Sequence, residues 1–252
     1  MMSTNPRSFE ARKEIYLNLY KTMIPNYDAE KIFDAWYLKK IEFQRKSYES
    51  VGAKLGIPWY VIACIHAKEC SLDMARCLHN GQPWNQVTTM VPRGRGPWNS
   101  WEEAAVDALI YDGLHLVKQW SIEYILWSGE KYNGFGYMQH KVNTPYLWSG
   151  SNHYTKGLYK EKPLVGSWFD SEAKANDLGI AVMIKCMEQK GLIQLKYESD
   201  FISLDDTLNK ANNASGAPVT QKPVENVVPT KEPQNKKSFS LFAFLKKLFS
   251  RV

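Results

Sequence analysis

The chain has 252 residues, of which 44% are apolar, 13% aromatic and 23% charged, enough for one sizeable hydrophobic core. No run of about eighteen apolar residues occurs, which excludes an ordinary transmembrane span, and the apolar content excludes wholesale disorder. The formal charge of +6 is concentrated at one end: Lys236 to Val252 holds five of the 32 basic residues and no acid, leaving 27 against 26 elsewhere. That near-neutral remainder argues against a nucleic-acid-binding body, which normally presents a basic face.

In chain order, the N-terminus MMSTNPRSFEARKEIY lacks an apolar leader core, so synthesis in the cytoplasm without a signal peptide is expected. Residues 8 to 50 predict two helices separated at Pro25, the second with Asp28 as a cap. Ile57 to about Ser71 predicts a third, with Pro58 in its first turn. A loop from Leu78 to Asn99 follows, with at most a small hairpin around Val87 to Val91. Ser100 and Glu103 form a capping box before a helix weakened at Gly113, and Ser121 caps a shorter helix to about Trp127. Gly129 to Tyr159 predicts a long aromatic loop, and Asp170 or Ser171 to about Gln189 a last helix closed by Gly191. The expected organisation is a mainly α catalytic domain over 1–204, a flexible linker over 205–235 rich in Asn, Pro and Thr, and a basic amphipathic helix over 236–252.

The third helix carries the most chemistry. Val61, Ile62 and Ile65 form an apolar stripe, and Glu69 follows one turn after Ile65 on the same side. Apolar surroundings disfavour the ionised carboxylate and raise its pKa, which keeps a proton available for donation near neutral pH. An ion-paired residue at a frayed helix end is the competing reading. Further along, Tyr132, Tyr137, Tyr146 and Trp148 offer flat apolar faces with polar edges, while Asn133 and nearby glycines allow close approach, a combination suited to sugar rings. A loop that folds its aromatics onto the helices would have the same composition.

Three segments, IHAKECSLDMARCLHNGQPWNQVTTMVPRGRGPW, AAVDALIYDG and EKYNGFGYMQHKVNTPYLWSGSNHYTKGLYK, resemble the lysozyme-family peptidoglycan hydrolases of phages and bacteria, distant relatives of goose-type lysozymes and lytic transglycosylases. The likeness spans about residues 35 to 195. It implies a lysozyme-like helical fold, cleavage of the glycan between N-acetylmuramic acid and N-acetylglucosamine, and Glu69 as the catalytic glutamate, with Cys70 intervening before Ser71. It also implies that Tyr132 and Asn133 line the cleft, with His66, Asn80, Tyr137, Tyr146 and Trp148 as further substrate-binding candidates. Gln82 stands where an acid would be expected, so no second carboxylate carries over there.

Asp73, Glu102, Asp107 and Glu130 are the remaining candidates for that role; Glu130, just before Tyr132-Asn133, ranks first and Asp73 second. A transglycosylase would need none of them. The five histidines show no HExxH or paired spacing, so neither metal nor cofactor is expected. Peptidoglycan is the expected substrate of a monomeric endolysin-like muramidase, and residues 236–252 are expected to bind an anionic membrane surface. The rival reading is a membrane-binding structural protein that keeps the fold without activity.

Overall fold

The structure is a computed structural model that describes residues 5–162 and 166–201. It is mainly helical. The expected linker (205–235) and C-terminal helix (236–252) lie outside the described residues. Among the described residues, no helix is long and apolar enough to cross a membrane.

Helix α1 (Phe9–Lys21) is capped by Ser8, whose side chain accepts from the Ala11 amide. Next comes one continuous rod: α2 (Ala29–Ile32), a π-helical turn (Phe33–Leu38) and α3 (Lys39–Leu55), ended by Gly56 at φ 70°. Helix α4 (Trp59–Cys70) starts at Pro58 and is buried on nearly every side, so the apolar stripe expected from the sequence widens into a central helix covered all round. It packs between α3 and α8 (Ile180–Gln189). Helix α5 (Trp101–Tyr111) has the expected Ser100 cap.

Several elements differ from expectation. Helix α6 (Ile122–Asn133) runs through Gly129 instead of ending near Trp127; Leu147 packs where a side chain would stand, 3.0 Å from the would-be Cβ, and that packing outweighs glycine's helix penalty. The aromatic stretch after it is a 3₁₀ turn (Phe135–His140) and the short helix α7 (Pro145–Trp148). The only strands among the described residues are β1 (Leu158–Lys162) and β2 (Gly166–Asp170), an antiparallel hairpin with Tyr159 opposite Phe169; Val87 to Val91 forms no hairpin, and α8 starts ten residues later than Asp170.

Candidate active site

The end of α4 is built on a tight reversal. Ser71 (φ 52°) and Leu72 (φ 60°) are consecutive non-glycine residues in the left-handed region, and both amides return to the His66 carbonyl. Each such residue costs on the order of 1 kcal/mol or more, so the surroundings must hold them. The Gln44 side-chain amide of α3 donates to the Leu72 carbonyl at 2.9 Å. His66 Nε2 donates to the Asp73 carbonyl at 3.1 Å while Nδ1 meets the Tyr48 hydroxyl at 2.8 Å. Burial pushes the His66 pKa down to about 4, so the ring is neutral. Fully buried with both nitrogens engaged, His66 shapes the turn after Glu69 and has no ring nitrogen left for a ligand, unlike its expected binding role.

Glu69 is half-buried at that helix end. Tyr146 donates its phenolic hydrogen to Glu69 Oε1 at 2.9 Å. Desolvation raises the Glu69 pKa to about 7; the Tyr146 hydrogen bond and the Lys68 charge oppose the rise, and the charge of Asp112 adds to it. Lys68 is drawn elsewhere, 2.6 Å from Asp177 Oδ2 with its ammonium 5.3 Å from the Tyr146 ring centre, so it braces that ring rather than neutralising Glu69 by direct pairing. Burial also holds the Tyr132 and Tyr146 phenols well above their ordinary pKa, reinforced by the Glu69 charge. Both remain protonated donors.

A relay of contacts fixes Tyr146. Asn133, the last residue of α6, donates from Nδ2 to Thr144 Oγ1 at 3.2 Å, and the same oxygen accepts the Tyr146 amide at 3.3 Å, capping α7. Asn133 thereby positions the partner of Glu69. Tyr132 bridges from α6 to the long loop, donating to the Leu78 carbonyl at 3.3 Å, and its ring lines a small apolar cavity with Val61, Ile65 and Ile180. Glu69, Tyr132, Asn133 and Tyr146 are thus brought into one assembly.

The other expected residues have different work. Glu130 is 3% exposed and committed to α1, pairing with Arg12 at 3.2 Å and accepting from Tyr16; it lies one position beyond Gly129, which faces α7 and α8. Its expectation as second carboxylate is corrected on that ground: its side chain is spent on Arg12 and Tyr16 of α1. Trp148 is 1% exposed and packs edge-on against His153, a core ring rather than a sugar platform. Tyr137 is buried against the hairpin, its hydroxyl accepting the Tyr159 amide at 3.2 Å. Asn80 and Gln82 knit the 78–99 loop: Asn80 accepts the Gln82 amide and donates to the Met90 carbonyl, while Gln82 Oε1 accepts the amides of Thr89 and Met90. At Gln82, where an acid is expected from the sequence, this chain has a loop staple.

Among the remaining carboxylates, Asp107 is held below its ordinary pKa by Arg95, with His79 adding a hydrogen bond, and Asp73 pairs with Arg76 at 3.0 Å. Asp112 was not among the candidates. It closes α5 as C-cap, just before Gly113 at φ 76°, and its charge acts on Glu69, Tyr132 and His79 together, which places it at the junction of α4, α6 and the long loop. The signal available in the sequence was the Asp-Gly pair at a helix end. Among the described residues, no group of three or more His, Cys, Asp and Glu is placed to hold a metal ion. No protein-family model, curated protein or solved structure matches the chain.

Proposed function

We propose that the chain is a glycosidase of peptidoglycan that breaks the N-acetylmuramic acid to N-acetylglucosamine linkage with Glu69 as general acid. The observation that carries the reading is a carboxyl group with a pKa near 7, at the end of a buried helix, with one oxygen occupied by the Tyr146 hydroxyl. Because Oε1 accepts from Tyr146, the transferable proton sits on Oε2. It passes to the glycosidic oxygen as the C–O bond breaks, and the Tyr146 hydrogen bond then stabilises the carboxylate left behind.

The positive charge that develops at the anomeric carbon calls for a nearby anion or nucleophile. Asp112 is the carboxylate whose charge Glu69 feels, and in this reading it serves that role; Glu130 does not. A one-acid transglycosylase is the alternative within the same chemistry. It differs in the acceptor: water in hydrolysis, the muramoyl 6-hydroxyl in anhydro formation.

Digestion of purified murein in ¹⁸O-labelled water separates them by mass spectrometry. Hydrolysis places ¹⁸O at new reducing ends. Unlabelled anhydro ends would replace hydrolysis by transglycosylation, and cleavage only at amide bonds would overturn the glycosidase reading.

A further inference from the structure

The rod formed by α2, the π-helical turn and α3 carries a surface that no part of the proposed active site uses. Trp36 is 70% exposed and Phe43 is 89% exposed, the most exposed large apolar side chain among the described residues. On this rod, Lys39 and Lys40 precede Phe43 by four and three positions and Lys46 follows by three, so the three ammonium groups ring the phenyl group on one helix face. All three lysines are exposed. Trp36 lies one further turn back, in the π-helical turn, a feature found frequently at functional sites.

The neighbouring charges sharpen the pattern. Glu49 is taken by Arg45 at 2.8 Å, and Glu30 and Asp34 are both taken by Lys190 at 3.0 Å. Arg45 itself lies over the Trp59 ring at 4.5 Å, turned away from the lysine-flanked face. Glu42 borders the face beside Phe43. The face therefore presents three cations and two protruding aromatics against one bordering acid.

We propose that this face, Trp36, Lys39, Lys40, Phe43 and Lys46, docks the folded domain on an anionic lipid surface. The lysines complement anionic headgroups, and Trp36 and Phe43 reach the boundary between headgroups and acyl chains. Phe43 decides for lipid over a soluble polyanion. A phenyl group this exposed has no hydrogen-bonding edge, and the face carries no Arg, Asn or Gln for reading base edges. Its chemistry matches an apolar phase behind a charged one.

The test uses the full chain with Phe43→Cys carrying an environment-sensitive nitrobenzoxadiazole label, and a control label at Glu14→Cys on exposed α1; the native cysteines are all buried. With phosphatidylglycerol-containing vesicles, the label at 43 shifts to the blue and is quenched by lipids spin-labelled in the acyl chain, while the label at 14 does neither. Phosphatidylcholine vesicles leave both unchanged. Each basic residue strengthens such binding about fivefold, so Lys39→Gln, Lys40→Gln and Lys46→Gln together weaken the Phe43-dependent signal roughly 100-fold. An unmoved label at 43 on vesicles that carry the protein overturns the proposal, as does failure of the chain to bind them. The same shift with polyuridylate and no vesicle assigns the face to a nucleic acid and overturns it, and a concentration-dependent shift without lipid assigns it to a second copy of the chain and does the same.

Discussion

Burial raises the proton affinity of Glu69, and two side chains then tune it in opposite directions, which makes the site testable one atom at a time. Tyr146 lowers the Glu69 pKa by hydrogen bonding to its ionised form, and the Asp112 charge raises it. A general acid works while protonated, so murein cleavage should decline as pH rises through about 7. Tyr146→Phe removes the bond to the carboxylate and should move that decline to higher pH; Asp112→Asn removes the repulsion and should move it lower, on top of the rate lost with the charge that meets the developing cation. Rates of murein solubilisation between about pH 5 and 9 check both, and shifts of the same sign would refute the assigned geometry.

The same group also makes a stability prediction. The folded-state pKa of about 7 exceeds the ordinary 4.5, so the stability due to protonated Glu69 is present below about pH 4.5 and is lost as pH rises through about 7. Glu69→Gln cannot ionise, and at pH 8 it should be more stable than the parent by on the order of 1–3 kcal/mol, with the gain gone at pH 4. Thermal unfolding at the two pH values measures it. Glu69 was legible in the sequence because an acid one turn after Ile65 continues an apolar stripe. Asp112 was not, because its approach to Glu69 is made by the packing of α5 and α6 around α4, which no local spacing encodes.

Among the elements, the shortest matter most for the site. Helix α7 has four residues and owes its position to its neighbours: Thr144 caps it, Lys68 braces the Tyr146 ring, and Gly179 lets α8 begin against its backbone. A Cβ at Gly179 would lie 2.2 Å from the Leu147 carbonyl oxygen, closer than any relaxed contact. Gly179→Ala should therefore displace α7, lower the thermal midpoint and weaken the Tyr146 hold on Glu69, raising its pKa. Trp148→Ala, from the same helix, should cost about 3–5 kcal/mol of stability through the cavity left in the core. Oligosaccharide affinity of the molecules that remain folded should be unchanged, which isothermal calorimetry reads; a selective loss of affinity would restore Trp148 as a sugar platform.

Helices α4, α5 and α6 were legible at their starts because each has a local signal: Pro58, Ser100 and Ser121. The region after Trp127 reads as a loop because Gly129 looks like a breaker when its neighbours are unknown. In the fold it is the gap into which Leu147 packs, and α6 passes through it to deliver Tyr132 and Asn133. The hairpin was missed for a related reason. LYKEK and GSWFD alternate weakly, and the Tyr159, Phe169, Tyr137 and His140 ring cluster that stabilises their pairing joins side chains from separate elements.

Over the whole molecule, α4 acts as the axis: α3 and the Tyr48–His66 contact hold its end, α6 and α7 bring phenols to Glu69, and α5 brings Asp112. Aromatics are correspondingly divided between the core, as Trp148 and Tyr137, and the exposed α2–α3 rod, as Trp36 and Phe43. In the proposed reading, glycan cleavage depends on the Glu69 proton. Its most direct test compares the parent with Glu69→Gln on purified murein at pH 6, with folding verified by circular dichroism and thermal unfolding. The parent should release soluble muropeptides with new glycan ends, and the variant should be slower by roughly 10² to 10⁴ or more at equal murein binding. Parent-like release of glycan ends by the folded variant would contradict it.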